Sequence, residues 1–193
     1  MTKKKFYRKP ICDVGMLKRF FAYIVDYYFG LLLCSLPIVL GNGLINRGEE
    51  MQMNLFFFKD QALTLYIIAF LSFFIGYVYY IHIPLKVWKG QTLAKHLFHF
   101  KIVKTNGEEV DLKSLLLRHA VGMFLIEGAV ISCTSVLRQL LTYCTGINFV
   151  DSLIKVGLVL TFVSCVIMLF NSNRKMIHDY IGGTIVTSDS YHI

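Results

Sequence analysis

Charge is scarce in this sequence. Of its 193 residues, 17% are Asp, Glu, Lys or Arg, against 55% hydrophobic and 15% aromatic. An ordinary soluble domain carries about a quarter charged residues. The five cysteines, at 12, 34, 133, 144 and 165, include no Cys-x-x-Cys pair, and their spacing gives no disulfide framework. No glycine-rich loop precedes a Lys-Ser/Thr pair, and no Ser/Cys–His–acid arrangement is present. His82, His96, His99 and His119 have no zinc-ligand spacing, and His178-Asp179 lacks further ligands nearby in sequence. Internal repeats and low-complexity segments are also missing. The expectation is a protein that is not an enzyme and carries no metal and no cofactor.

What the chain does have is long apolar blocks. Leu17–Leu40 holds two hydrophobic runs around Asp26. Ala62–Ile83 runs 22 residues without Lys, Arg, Asp or Glu. Ala120–Leu137 is interrupted only by Glu127, and Leu153–Phe170 only by Lys155. About 20 apolar residues cross a bilayer core. The blocks predict an all-α membrane protein with four transmembrane helices, over about 19–41, 62–83, 115–137 and 153–171. No small-residue cleavage site follows the first block, so it reads as a span and not as a signal peptide.

The net charge of +8 raises nucleic acid as a partner, but its placement points to a membrane. Lys3, Lys4, Lys5, Arg8, Lys9, Lys18 and Arg19 lie at the start. Lys86, Lys89, Lys95, Lys101, Lys104, Lys113 and Arg118 fall between segments two and three, and Arg174 and Lys175 follow segment four. Arg47, Lys59, Arg138 and Lys155 are left for the other side. By the positive-inside rule both termini and the middle loop are cytoplasmic. The basic side is expected to face anionic lipid headgroups, with no nucleic-acid partner.

Outside the spans, residues 1–16 read as a basic cytoplasmic tail, 17–187 as the transmembrane domain and 188–193 as a C-terminal tail. Pro37 is expected to kink the first helix near its outer end. Tyr77, Tyr79, Tyr80 and Trp88 suit an interfacial aromatic belt. Thr92 can cap a short amphipathic helix carrying Leu93, Leu97 and Phe100. Asn106-Gly107 predicts a hairpin with a type I′ turn. Asp111 can cap the third helix. "TIVTS" after Gly182-Gly183 predicts a strand that can join the hairpin, for a small cytoplasmic β-hairpin or three-stranded element.

Two acids stand inside apolar blocks. Arg19 and Asp26 are seven apart, on nearly one helix face and about 10.5 Å apart along the axis. Arg19 can snorkel to the headgroups, whereas Asp26 is too deep. An acid at mid-helix costs about 2.5–3.5 kcal/mol and requires a partner or a cavity. Asp26 is either a packing anchor or a cation or proton site. Glu127 falls at similar depth in the third segment. It either shares an acidic site with Asp26, or is neutral or paired with His119, Arg138 or Lys155. Gly128 and Ser132 form a small-x-x-x-small pattern beside it, which predicts a helix interface.

Three stretches together resemble the RDD family of bacterial multi-pass membrane proteins. "RFFAYIVD" carries Arg19, Ala22 and Asp26; "GQTLAKHLFHFKIV" carries Gly90, Thr92 and Lys95; "NRKMIHDYIGGTIV" carries His178, Asp179 and Thr184. Arg118 resembles a family arginine opening the third helix. Ala94 stands where the family has Gly, and His96 where a basic residue is common. The resemblance spans about residues 17–187 and implies a bacterial plasma-membrane location. For some members it implies cation/proton exchange. It places Arg19, Asp26, Arg118 and Asp179 in one polar cluster at the cytoplasmic side, with Thr92 and Lys95 on a covering helix. Glu127 receives no family role. The two functional expectations are an ion or small-solute transporter, working as a homo-oligomer, and a non-transporting module that binds a protein partner or lipid through its basic face.

Overall fold

The computed structural model describes residues 14–46, 53–128 and 132–189. The basic tail up to residue 13, Cys12, the loop with Arg47, Glu49 and Glu50, and residues 190–193 lie outside the described residues. The fold is mostly helical with one small sheet. α1 runs Met16–Asn46 and accommodates Pro37 without ending there. A 3₁₀ turn, Leu55–Phe58, leads to α2 (Ala62–Tyr77), which continues as a π-helix over Val78–Val87 around Pro84. α3 is the short helix Leu93–Leu97, followed by strand β1 (Phe100–Lys104). α4 (Leu112–Leu116) also continues as a π-helix, Leu117–Ile126. α5 (Ser132–Thr145) and α6 (Phe149–Phe170) follow, then α7 (Ile177–Ile181) and strand β2 (Thr184–Ser188).

Among the described residues, three helices are long and apolar enough to cross a membrane: Met16–Ile45, Ala62–Val87 and Phe149–Phe170. Their outward residues are large and apolar, including Leu32 on α1, Phe70 on α2 and Phe162 on α6. Such faces suit lipid.

The predicted third helix over 115–137 is not continuous. Its first helical part ends at Ile126 with Glu127 as C-cap, and the next described helix begins at Ser132, residues 129–131 lying outside the described residues. The reason is polar. The Glu127 carbonyl accepts a hydrogen bond from Thr161 Oγ1 at 2.9 Å, and the Gly128 carbonyl accepts one from Arg138 Nη1 at 2.7 Å. Side chains of neighbouring elements satisfy the freed backbone, which is the condition for irregular chain at membrane depth. Gly128 lies in the turn past that C-cap, while residues 129–131 and the Ser132 side chain lie outside the described residues, and with them the expected small-residue interface. The two pieces still follow the bundle in sequence. His119 lies against Tyr80, Met123 and Phe124 pack at Cys34 and Cys133, and Tyr143 meets Tyr66 near the start of α2.

The sheet has two strands, not three. β1 and β2 pair antiparallel, with Phe100 opposite Ser188 and Lys104 opposite Thr184. The chain does turn at Asn106-Gly107, but among the described non-glycine residues a positive φ occurs only at Lys89, His99 and Arg174. Asn106 is thus outside the type I′ conformation. Its Oδ1 accepts from the Glu108 N–H at 3.0 Å instead. The return arm shrinks to a single bridge, Val103 with Glu109, because Asp111 already caps α4 through the Ser114 N–H at 2.8 Å. Too little chain separates Gly107 from that cap to pair as a strand.

Candidate functional site: two buried polar clusters

Asp26 sits on α1, 5% exposed, beneath α3. Its carboxylate accepts hydrogen bonds from Tyr79 Oη (2.8 Å), Thr92 Oγ1 (2.6 Å) and the Ala94 N–H (3.3 Å). Lys95 Nζ completes an ion pair at 2.7 Å and also donates to Thr92 Oγ1 at 3.1 Å. Tyr80 Oη donates to the Asp26 backbone carbonyl at 3.2 Å. Local chain geometry brings these donors together. Thr92 is the N-cap of α3 but makes no side-chain cap bond there, so its hydroxyl is spent on Asp26. Gly90, at φ +93°, lets the chain pass close to the Ile102 carbonyl before α3 begins. Gly30 leaves the space that Tyr80 Oη fills.

A cavity of ≈ 20 Å³ adjoins this carboxylate, lined by Tyr23, Asp26, Tyr27, Tyr80, Lys95, His119 and Met123. That is room for one water. His119 is 1% exposed, and neither of its ring nitrogens has a hydrogen-bond partner among the described residues. A buried imidazole without partners carries a desolvation penalty unless something occupies the space beside it.

The second cluster ties the last helix to the first and the broken third. Arg118 Nη1 bonds the Asp179 carboxylate and also donates to Thr184 Oγ1 at 2.7 Å. Arg118 Nη2 lies 3.1 Å from His178 Nε2. A guanidinium only donates, so Nε2 is the acceptor and the proton of His178 is on Nδ1. That Nδ1–H then donates to Glu127 Oε2 at 2.7 Å. Ser164 Oγ (2.6 Å) and the His178 N–H (3.1 Å) donate to Glu127 Oε1. Arg19 reaches Asp179 Oδ2 at 3.6 Å and the Arg174 carbonyl at 2.6 Å. Two guanidinium and two carboxylate groups balance, with a neutral histidine between them. Gly122 makes the approach possible, since a Cβ there would lie 2.6 Å from the His178 Cβ.

Asp179 is fully buried, and burial pushes its carboxyl upward. Arg118, Arg19 and the Met176 N–H outweigh that and hold it well below the usual carboxylate range. A carboxyl lowered by folding stabilises the fold above its unfolded pKa of about 3.9, and that stability is lost as pH falls through the folded value. The melting midpoint in detergent is expected to be flat from neutral pH to about pH 5 and to drop below about pH 4. Asp111, held low by Lys104 and the Ser114 N–H, contributes with the same sign. The acid drop lost in Asp179→Asn, beside an Asp111→Asn control, measures the buried share.

The expected single cluster is therefore two. Asp26 joins Thr92 and Lys95, while Arg19, Arg118 and Asp179 join Thr184, His178 and Glu127. Asp26 and Glu127 share no partner and form no acidic pair, and Glu127 takes His178 in place of His119, Arg138 or Lys155. Gly90 shapes the backbone and contacts neither cluster's acid. Sequence reading missed Tyr79 and Tyr80 as functional residues. Placed in an interfacial belt by sequence, both are buried on Asp26. A tyrosine pair in an apolar segment signals this, because a buried phenol requires a hydrogen-bond partner. Trp88 stacks on His96 at 4.7 Å.

A family model described as the RDD family matches residues 14–183. No curated protein and no solved structure matches the chain.

Proposed function

The chain belongs to the RDD family, and we propose that it is a four-crossing cation/proton exchanger of the bacterial plasma membrane, with both termini cytoplasmic and Asp26 as the carrier. The carrying observation is a buried carboxylate whose counter-ion is a lysine, with both groups lining a water-sized cavity that also holds an unpartnered histidine. The broken third segment supports a fourth crossing made of two half-helices, 112–126 and 132–145. In each cycle an incoming monovalent cation takes the place of the Lys95 ammonium at Asp26. Lys95 then gives up one proton to water in the cavity, which carries it out to solvent, so one cation enters the site as one proton leaves. Two π-helical stretches, at Val78–Val87 and Leu117–Ile126, border the site. Such distortions recur at functional positions.

The test is proton flux in liposomes carrying the purified protein, read by an internal pH dye after Na⁺ or K⁺ addition. Wild type is expected to move protons. Asp26→Asn and Lys95→Arg are each expected to fall to the level of empty liposomes while eluting as folded protein. Arginine retains the positive charge but cannot release its proton. Wild-type protein that moves protons with neither cation overturns the proposal.

One observation favours a second reading. The Asp26 carboxylate is already saturated by four donors. Such an acid can serve as a lock that holds the α3 cap on the bundle. The protein is then a non-transporting module whose basic side, with Lys86, Lys89, Lys101 and Lys113, binds anionic lipid or a protein partner. The apolar outer face of α6 offers a surface for a homo-oligomer.

A further inference from the structure

Arg138 lies near the middle of α5 and is 4% exposed. It is about seven residues from the end of α5 at Thr145, or about 10.5 Å along the helix. An arginine at that depth commonly turns its head outward to water. This one does the reverse. Its Nη1 reaches back ten residues to the Gly128 carbonyl at the helix break, toward the middle of the bundle. That is the only hydrogen bond its side chain makes among the described residues. Its Nε is buried with no partner, and no described carboxylate forms an ion pair with it. The nearest acid in sequence, Glu127, is engaged by His178 and Ser164.

Beside Arg138 lies a cavity of ≈ 200 Å³, the larger of the two described here. Phe124, Leu137 and Leu141 form part of its wall from the broken segment, and Leu153 and Gly157 from α6. Val156 and Leu125 also line it and are themselves more than half exposed, so the cavity opens sideways through the lipid-facing surface. An apolar pocket open to the membrane, with one uncompensated guanidinium inside, matches a ligand with one anionic head and an apolar chain.

We propose that this pocket binds a single-chain carboxylate lipid, a free fatty acid, with the carboxylate on Arg138 and the acyl chain leaving between α5 and α6. With Nη1 committed to Gly128, the Nε and Nη2 edge remains for an acceptor. A planar carboxylate fits that edge with two parallel hydrogen bonds. A glycerophospholipid would have to draw its phosphate and glycerol into an apolar wall that supplies no further cation. The site shares no lining residue with the cavity at Asp26 and does not depend on whether the protein exchanges ions.

The test uses the full chain in phosphatidylcholine nanodiscs with a diazirine-bearing fatty acid, and mass spectrometry locates the cross-links. Labelling is expected on Leu141, Leu153 or Val156. Excess oleate should compete, whereas oleyl alcohol and phosphatidylglycerol should not. Arg138→Gln should reduce labelling at least about tenfold, and Arg138→Lys should restore part of it. Val156→Trp, which narrows the opening without touching the charge, should also reduce it, and covers the case in which Arg138→Gln does not fold. Equal competition by oleyl alcohol would mean simple partitioning and overturn the proposal. Competition by phosphatidylglycerol would assign the pocket to phospholipid and overturn it too, as would labelling that Val156→Trp leaves unchanged.

Discussion

Arg118→Met is expected to destabilise the protein by about 3–5 kcal/mol, enough to abolish folded yield at ordinary expression temperature. The substitution removes a bond to Asp179, a bond to Thr184 and the donor facing His178 Nε2 in one step. Asp179 then stays buried with only Arg19, at 3.6 Å, as counter-ion. Breaking one side of a buried pair costs far more than the pair itself contributes, because the remaining charge has no solvent. Arg118→Met with Asp179→Leu is therefore expected to recover much of the loss. Arg118→Lys is expected to stay destabilised, since one ammonium cannot span three partners that a planar fork reaches. Unfolding in mixed detergent–SDS micelles, followed by far-UV circular dichroism, measures all three. A double variant no more stable than Arg118→Met would count against this account.

The second large effect is at Lys95. Lys95→Met leaves Asp26 charged, buried and held by neutral donors alone. The expected cost is again about 3–5 kcal/mol. Asp26→Asn is expected to cost less, because the amide keeps an acceptor for Tyr79 and the Ala94 N–H, and the Lys95 head is the more exposed partner. Asp26→Asn combined with Lys95→Met should lie above Lys95→Met alone. The coupling energy from that cycle isolates the pair from its surroundings. Additive losses would show that Lys95 acts through packing and not through charge. The same proteins and Lys95→Arg, run in the flux assay, separate a lock from a carrier: a lock shows no wild-type flux and loses only stability, whereas Lys95→Arg in a carrier loses flux alone.

The membrane class, three long spans and the β2 strand were legible from the sequence, because blocked hydrophobicity and a glycine stop are local signals. Asp26, Arg118, Asp179, Thr92 and Lys95 were legible as polar residues in need of partners. Which partners they take was not, because that depends on contacts between distant elements. Arg118 and Asp179 are 61 residues apart, and His178 and Glu127 are 51. The break at Glu127 was hidden for a related reason. Apolar composition on both sides of it reads as one span, and only Thr161 and Arg138, brought in by packing, make the interruption stable. The hairpin failed on competition, since Asp111 starts a helix before the second arm can form.

The placement of His178 and Asp179 also governs the order in which the protein can be assembled. Arg118 and Glu127 are made early, whereas Asp179, the counter-ion of Arg118, and His178, which donates to Glu127, are made late. While the ribosome is still synthesising α6, Arg118 and Glu127 lack those partners. Each must wait at the membrane surface or in water. Final seating of the first and third segments is thus a late event, triggered when α7 emerges. A chain stopped after Phe170 would carry every hydrophobic block and still lack the means to close. Quality-control proteases would meet it as an open bundle, and its lifetime in cells should fall far below that of the full chain.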